Sequence, residues 1–560
     1  MANFYTDNPD LRHHLDHPLM KRIVALKERD FADADKYDYA PLSFDDAIDS
    51  YNSILTLVGE ISADVISANA QSVDEEGAHL EEGRADYASA TKANIATMKS
   101  AGLMGMSIPR RYNGLNLPTV PFIMSGEMIA RADAGFYNVW GLQDCAETIY
   151  EFGSEEQRQE FLPRVCAGET MAMALTEPDA GSDLQSVMLK ATFDEENECW
   201  RLNGVKRFIT NGDGELSLVL ARTEEGSRDG RGLSMFIYDK NDGGMTVRRI
   251  EHKMGINGSP TCEIVFNNAK AQLCGSRRLG LIKYVMSLMN GARLGIAGQS
   301  VGISEACDRE AIAYANDRRQ FGKPIIEFPA VEQLIRNIKA KLDASRSLLY
   351  ATARFVDIYK LLEDIISKER SLTPEERQEM KSASRTADAL TPLVKMMGSE
   401  YANQNAYDCI QVHGGSGYMK EYACERLYRD ARITSIYEGT SQLQVVAALR
   451  YVLNGSYSKL IDSFAELSVK ESLQPLTAKL GKMKVDYDNA VAAVNDANDA
   501  ATTDFAARSL VEMSALLIMS YLLVDDANRN ERFDNSACDF INLAESEIAR
   551  NLIIVKNLIK

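Results

Sequence analysis

The sequence lacks the features of a nucleic-acid-binding or membrane-spanning protein. It has 62 Lys and Arg residues against 81 Asp and Glu residues, so the formal charge at pH 7 is −19. Such an excess of acid repels a phosphate backbone or an anionic membrane surface. The longest apolar run, residues 515–524, is far shorter than the roughly 20 residues that a bilayer requires. An anionic ligand must therefore be bound by a local cluster of Arg residues or by backbone N–H groups.

The cysteines and histidines do not indicate a disulfide framework or a metal site. The nine cysteines are odd in number, widely spaced and never arranged as Cys-x-x-Cys. His13, His14 and His17 are not accompanied by carboxylates at ligand spacing, so we expect them in a mobile surface tail. The acidic N-terminus has no apolar segment typical of a secretory signal, which favours a cytoplasmic location.

Three widespread motifs are missing as well. No Gly-x-Gly-x-x-Gly opens a βαβ unit, and no Gly-x-x-x-x-Gly-Lys-Ser/Thr is present, so the usual dinucleotide- and nucleoside-triphosphate-binding loops are excluded. The Gly-x-Ser-x-Gly of α/β-hydrolases is absent too. A nucleotide bound by this chain must be held by another arrangement of residues.

The pattern of apolar residues divides the chain into four segments. Before residue 168 and after residue 276, apolar residues recur at three- and four-residue intervals, which indicates helices. Between these segments, short runs such as LSLVLAR and LSMFIYD are separated by Gly, Asn and Asp, which indicates strands. The sequence therefore predicts a multidomain α+β fold with an N-terminal helical domain (1–168), a middle β domain (169–275), a helical domain (276–453) and an appended C-terminal helical domain (454–560).

Short signals mark helix ends in these segments. Ser154 with Gln157, and Thr373 with Glu376, have the spacing of capping boxes. The junction at residues 454–456 is too short to carry the last block far away, so we expect that block to pack on the preceding helical domain of the same or a neighbouring subunit. Its apolar stripe over residues 506–524 is wider than one helix face, which predicts burial on two sides.

The most informative segment is Ile436–Gln442, with the sequence IYEGTSQ. It is preceded by DRRQFGKP, which begins at Asp317, and by QVHGGSGY, which begins at Gln411. A carboxylate followed by Gly-Thr-Ser-Gln places an acid at a tight turn beside hydroxyl and amide groups, which suits a base next to a bound polar cofactor. Each string alone is typical of a solvated turn or loop. Their joint order favours a functional site.

In this order the chain resembles the acyl-CoA dehydrogenase family. The resemblance covers roughly residues 40–453 and is carried by GLMGMSIPRRYNGLNLP, ALTEPDAGSD, RFITNG, DRRQFGKP with QVHGGSGY, and IYEGTSQ. It implies an acyl-CoA dehydrogenase fold, in which the predicted helical domain before residue 453 is a four-helix bundle. HKMGINGSPTC, MNGARLG and the appended helices are similar to the longer subgroup that contains 3-methylmercaptopropionyl-CoA dehydrogenases.

The resemblance also implies an activity: an FAD-dependent oxidoreductase of fatty acid β-oxidation that converts an acyl-CoA to a trans-2-enoyl-CoA. Glu438 is the implied base that removes the α-proton, and flavin N5 takes the β-hydride. We expect burial against flavin and acyl chain to raise the pKa of Glu438. The backbone N–H of the catalytic Glu and a ribityl hydroxyl hold the thioester carbonyl in this family, which stabilises the enolate.

Site residues are assigned by matching positions to the family motifs. Phe208 departs from many relatives, which have Trp there. The FAD-binding positions are Met173, Ala174, Leu175, Thr176, Phe208, Ile209, Thr210, Arg318, Gln320, Phe321, Gln411, Gly414, Gly415, Thr440 and Gln442, and the substrate-binding positions are Ser182, Asn290 and Arg293.

These assignments have structural alternatives. Phe208 also fits a core aromatic of a strand, and Arg318 also fits a surface ion pair. Ser182 also fits a helix N-cap, and Arg293 also fits a helix surface.

The family pattern further implies partners. Residues around Arg318 and Gln411 reach the FAD of a neighbouring subunit in this family, so we expect a homo-oligomer, either a dimer or a tetramer. Electron-transfer flavoprotein is the expected electron acceptor. Two other functions remain open: an acyl-CoA oxidase that reduces O₂, and a non-catalytic acyl-CoA-binding module. The sequence does not indicate the length, branching or thioether content of the acyl group.

Overall fold

The computed structural model describes residues 2–559, and its elements form two compact units, Met1–Gly295 and Ile296–Lys560. Met1 and Lys560, the outer ends of the predicted domain ranges, lie outside the described residues. Helices alone build the second unit apart from one short hairpin, whereas the first unit combines helices with a sheet. The four predicted domain boundaries stay predictions.

The first unit begins with a helical part that also contains a small hairpin, β1 (His79–Glu81) and β2 (Arg84–Asp86), which the sequence analysis did not predict. Its helices are α1 (Pro9–Leu15), α2 (Met20–Lys27), α3 (Phe44–Ile61), α4 (Ser67–Glu76), α5 (Ser89–Ser100), α6 (Thr119–Ala132), α7 (Ala134–Trp140), α8 (Cys145–Phe152) and α9 (Glu155–Cys166). Ser154 and Gln157 form the predicted capping box of α9.

The expectation of a surface tail at the N-terminus is wrong. Helix α1 contains His13 and His14, and the side chain of His14 is fully buried. Leu11 and Leu15 on the same helix are buried as well, because α1 packs its apolar face against the helical part of the first unit. His14 is therefore part of the core, whereas His13 and His17 are half-buried.

Seven strands follow the first helices and nearly close into a barrel. They pair in the order β3-β6-β4-β5-β9-β7, and β8 pairs with β9. An additional β6–β7 pairing closes β6, β4, β5, β9 and β7 into a ring, and β3 pairs with β6 outside that ring. Successive residues of β6 belong to two different apolar clusters, so both faces of this strand are buried. The strands are β3 (Met171–Ala174), β4 (Lys190–Asp194), β5 (Cys199–Thr210), β6 (Leu216–Arg222), β7 (Leu233–Asp239), β8 (Met245–Ile250) and β9 (Thr261–Cys274).

Long helices make up the rest of the chain. Thr373 and Glu376 form the predicted capping box of α12. The elements are α10 (Met286–Asp317), β10 (Arg319–Gln320), β11 (Lys323–Pro324), α11 (Pro329–Lys368), α12 (Pro374–His413), α13 (Ala423–Thr434), α14 (Ser441–Leu453), α15 (Ser456–Ala465), α16 (Gln474–Ala497), α17 (Ala500–Arg529) and α18 (Asp534–Ile559).

The appended helices pack on the preceding helices of the second unit. Helix α17 contacts α11 and α14 as well as α15, α16 and α18. It is long and apolar enough to cross a membrane, but 83% of its most apolar window is buried inside the protein. Leu510 and Leu517 of the predicted stripe are fully buried. Helix α17 is therefore a core helix of this unit.

Candidate functional site

Glu438 lies in a strained turn between α13 and α14. Its φ angle is +53° and that of Gly439 is +90°, so two consecutive residues adopt the left-handed conformation. This conformation suits glycine but costs a side-chain-bearing residue about 1–3 kcal/mol. Glu438 itself is half-buried. Backbone strain of this kind clusters at functional sites, and here it falls on the predicted base.

Buried side chains of neighbouring helices hold this turn. Lys395 Nζ donates a hydrogen bond of 2.6 Å to the Gly439 carbonyl, and Gln444 Nε2 donates one of 3.0 Å to the same oxygen. Tyr437 donates its hydroxyl hydrogen bond to Gln299 Oε1. The Ser441 N–H donates to the Ser435 carbonyl over 3.0 Å and closes the turn.

The next part of the candidate site is an exposed surface at one end of α10 and α12. Arg318 and Phe321 follow α10, and the Phe321 side chain is 94% exposed with a φ angle of +50°. The ring of Tyr314 on α10 stacks on that of His413 on α12 with centroids 4.2 Å apart. This contact places the predicted positions Arg318, Gln320 and Phe321 at the same end of the helices as Gln411, Gly414 and Gly415, all of which are exposed.

A cavity of about 630 Å³ opens beside Thr440 and Gln442. Thr440 is the N-cap of α14, and its hydroxyl accepts a hydrogen bond from the Leu443 N–H. The other walls carry cationic, aromatic, amide and acidic side chains, including those of Lys341, Asn403, Tyr407, Tyr428, Arg432, Glu400 and Asp408. Burial lowers the pKa of Lys341, although its ion pair with Asp408 opposes this effect. Such a lining fits the polar, aromatic nucleotide part of a flavin cofactor.

In the first unit, two predicted flavin-binding segments lie side by side. The Arg207 N–H donates a hydrogen bond of 3.0 Å to the Thr176 carbonyl, which joins Met173–Thr176 to Phe208–Thr210. Ala174, Leu175 and Ile209 are buried, whereas Met173, Thr176 and Thr210 are half-buried.

Phe208 does not behave as a core aromatic of a strand. Its side chain is 53% exposed, and its φ angle is +60°. The Arg207 guanidinium lies 4.7 Å from the ring centroid. An exposed aromatic ring on a strained backbone fits a planar ring ligand such as a flavin.

A buried ion pair supports these two segments from behind. Lys206 is fully buried and donates hydrogen bonds of 2.7 Å to the Leu175 carbonyl and 2.9 Å to Glu177 Oε1. Burial lowers the pKa of Lys206 to about 8, although Glu177 opposes this effect. Glu177 also accepts hydrogen bonds from the Met188 and Leu189 N–H groups. The pair therefore ties the loop after β3 to β5.

The predicted substrate-binding residues lie in two places of the first unit. Ser182 is exposed in the loop after Thr176, and it is not an N-cap, because Asp183 caps the short helical turn that follows. Asn290 and Arg293 are half-buried near the start of α10, and Arg293 Nη1 donates a hydrogen bond of 3.2 Å to Asn290 Oδ1. The alternative of a solvent-exposed arginine on a helix surface therefore does not describe Arg293.

Sequence reasoning missed the residues that hold the site together. Lys395 and Lys206 are fully buried, and each donates to a backbone carbonyl next to a predicted site residue. One signal was available for Lys395, since it is the single charge in the apolar stretch ALTPLVKMMG of α12. Gln444 carries no such signal, because amides are common on helices.

The order of helical, β and helical parts is also that of the family models that match the chain. Family models for the acyl-CoA dehydrogenase N-terminal, middle and C-terminal domains match residues 52–169, 172–269 and 282–453, and one described as acyl-CoA dehydrogenase C terminal matches residues 453–559. The chain belongs to the acyl-CoA dehydrogenase family. The predicted family, fold, enzyme class and FAD cofactor are thereby confirmed.

Individual relatives agree with this assignment. An acyl-CoA dehydrogenase of Bacillus subtilis is 35% identical over 371 residues, which cover 65% of this chain and 90% of the relative. A 3-methylmercaptopropionyl-CoA dehydrogenase of Ruegeria pomeroyi is 32% identical over 432 residues, which cover 72% of this chain and 70% of the relative. The crystal structure of an acyl-CoA dehydrogenase complexed with FAD from Bacillus anthracis has the same fold, with a TM-score of 0.76 at 24% identity over 91% of this chain and 89% of that one.

Proposed function

We propose that this enzyme dehydrogenates an acyl-CoA thioester between Cα and Cβ, with Glu438 as the base that removes the α-proton. The observation that carries this proposal is the strained turn at Glu438, whose left-handed backbone is held by buried donors. A fold that only bound acyl-CoA would have no need to keep a carboxylate on such a backbone. The non-catalytic alternative is therefore disfavoured.

The residues of the chain have distinct tasks in this reaction. Glu438 accepts the α-proton, and its backbone N–H stabilises the charge that develops on the thioester oxygen. Asn290, Arg293 and Ser182 orient the substrate. A bound FAD would supply the hydride acceptor for the β-hydrogen.

Several parts of the chain would hold FAD. Phe208 offers an exposed aromatic face, and the segment Met173–Thr176 offers backbone groups and a hydroxyl. Thr440 and Gln442 line the cavity of about 630 Å³. Arg318 supplies positive charge for the pyrophosphate in a protein that is acidic overall.

We also propose a homo-oligomer that passes its electrons to electron-transfer flavoprotein. Arg318 and Phe321 are exposed in the single chain, and within residues 2–559 no carboxylate forms an ion pair with Arg318. This supports a contact with the FAD of a neighbouring subunit rather than a surface ion pair. A dimer is the simplest assembly that provides it.

An anaerobic titration of the purified yellow protein tests the proposal. We expect the flavin absorbance to bleach with acyl-CoAs, and a series of varied length, branching and β-thioether content should reveal the preferred substrate. Admitting air to the reduced enzyme then separates dehydrogenase from oxidase, because rapid stoichiometric peroxide indicates an oxidase. A protein without bound flavin, or one that no acyl-CoA bleaches, would refute the proposal.

A further inference from the structure

Gly439, next to the proposed base, leaves the turn free to adopt many local conformations. Glycine populates both signs of φ about equally, so the residue after Glu438 does not by itself determine the path of the chain. In the structure the φ angle of Gly439 is +90° and that of Glu438 is +53°. Contacts from outside the turn must therefore select this conformation.

Two buried side chains provide these contacts. Lys395 on α12 and Gln444 on α14 are both fully buried, and both donate to the Gly439 carbonyl, over 2.6 Å and 3.0 Å. Two donors on one oxygen determine the orientation of the peptide plane between Gly439 and Thr440, one residue after Glu438. Since Thr440 caps α14, the same plane also sets where that helix begins.

A buried lysine is an unfavourable residue for a purely structural contact, because its ammonium group loses its hydration. Burying an ammonium group is unfavourable unless strong hydrogen bonds compensate for the lost water. A methionine of similar length would fill the same volume without that penalty. Lys395 therefore does more than fill space at this position.

We propose that Lys395 is a positioning residue for Glu438: with Gln444 it holds the Gly439 carbonyl, so that the left-handed turn keeps the Glu438 carboxylate and N–H in the orientation that α-proton removal needs. This inference rests on the proposed function of Glu438. Lys395 itself takes up no proton from the substrate. Its effect on the reaction is exerted through the backbone of the turn.

The test compares full-length, FAD-loaded Lys395→Met, Lys395→Arg and a control, Lys484→Met. Lys484 belongs to the appended helices of the same unit and pairs with Asp462 and Asp488, so its substitution also removes a hydrogen-bonded lysine. Anaerobic flavin bleaching gives the rate constant at saturating acyl-CoA and the concentration for half-maximal rate. Hydrogen exchange of a peptide that spans residues 436–443 reports on the turn without any substrate.

We expect Lys395→Met to lower the saturating rate roughly ten- to hundredfold, as for the loss of a charge-assisted hydrogen bond, with a half-saturating concentration within about threefold of wild type. Exchange in the 436–443 peptide should accelerate by a similar factor. Lys395→Arg should restore part of the rate, since it keeps a donor, and Lys484→Met should match wild type in both measurements.

The measurements distinguish a failure of the positioning role of Lys395 from a failure of the proposed dehydrogenase function. If acyl-CoA bleaches wild type and Lys395→Met at the same rate, the positioning role is wrong and the proposed function stands. If no acyl-CoA bleaches wild type, the proposed function fails, and exchange in the turn alone decides whether Lys395 holds it. If Lys395→Met does not fold, Gln444→Leu replaces it, and an unchanged rate and exchange in that variant overturn the inference.

Discussion

Different interactions stabilise two regions of the second unit: hydrogen bonds hold the turn with Glu438, and apolar burial holds helix α17. The turn has two consecutive left-handed residues, and it forms side-chain hydrogen bonds with α10, α12 and α14. Helix α17 is regular over its 30 residues, and most of its side chains are buried in a unit where α17 contacts six other helices. The turn stores backbone strain, whereas α17 buries apolar area.

If Glu438 is the base, as proposed, the residues of this unit that act in the reaction differ from those that stabilise the fold. A strained turn contributes little buried area, so its substitutions should change rates more than folding. A buried helix contributes apolar burial of roughly 25 cal/mol per Å², so its loss should affect folding first. The polar contacts of the appended helices, such as Ser536 to Asp343 Oδ2 over 2.6 Å, add specificity to that packing.

Removing the appended helices is the largest change that we propose. Truncation after Asn454 deletes α15–α18 and exposes the faces of α11 and α14 that α17 covers. We expect insoluble protein, or protein with a much lower melting temperature, when soluble yield and thermal unfolding are measured. Deletion from Lys556 onwards, at the end of α18, serves as the control. A truncated enzyme that stayed soluble, yellow and as heat-stable as the full chain would show that α17 is not needed by the core.

Glu438→Gln should have the next largest effect: it should lower the reaction rate without changing the stability of the fold. The amide preserves the shape of the side chain but cannot accept the α-proton, and loss of a general base lowers rates by about 10²- to 10⁴-fold. Stopped-flow flavin reduction measures the rate, and thermal unfolding should remain close to wild type. Bleaching near the wild-type rate would exclude Glu438 as the base.

Arg318→Ala tests the exposed surface at the ends of α10 and α12. Without its guanidinium we expect the protein to purify with less FAD and as a weaker oligomer, because a ligand that binds only the assembled state stabilises that state. Flavin absorbance and sedimentation measure the two effects. Arg319→Ala is the matched control, since Arg319 donates to the Gly322 carbonyl within its own hairpin. Full flavin content with unchanged sedimentation would contradict the shared site.

The smallest effect concerns Asp308, a buried carboxyl group of α10. Burial raises its pKa to about 7; Lys339 and Arg309 lower the pKa, whereas Glu305 and Asp343 raise it. The unfolded pKa is about 3.9, so the stability that Asp308 contributes is fully present below that pH and is lost as the pH rises through 7. Asp308→Asn stays neutral and should unfold at a higher temperature than wild type at pH 8, by roughly 1–3 °C.

The control for this measurement is Asp496→Asn on the exposed face of α16. The advantage of Asp308→Asn should shrink between pH 8 and pH 5, because wild-type Asp308 takes up its proton over this range. An equal shift at both pH values would show that the carboxyl group of Asp308 does not titrate there.

Local signals predicted much of the fold. The capping boxes at Ser154 and Thr373 were correct because they need residues only three positions apart. The position of His14 was not predictable in this way, since its burial depends on helices distant in sequence. The β1–β2 hairpin was missed because its strands have only three residues each and lie in a helical region.

The order of the motifs in this chain was enough to identify the family and to single out Glu438, since each motif is contiguous. Tertiary structure decided which groups hold those motifs in place. Lys395 is 43 residues from Glu438, and Lys206 is 31 residues from Leu175, yet each donates to a carbonyl at or beside a site segment. Hydrogen bonds of this kind depend on the distance between atoms in space, which a single sequence does not encode locally. The left-handed φ angle of Glu438 was not predictable either, because its neighbours Tyr437 and Gly439 are bound by side chains of α10 and α12, which are distant in sequence.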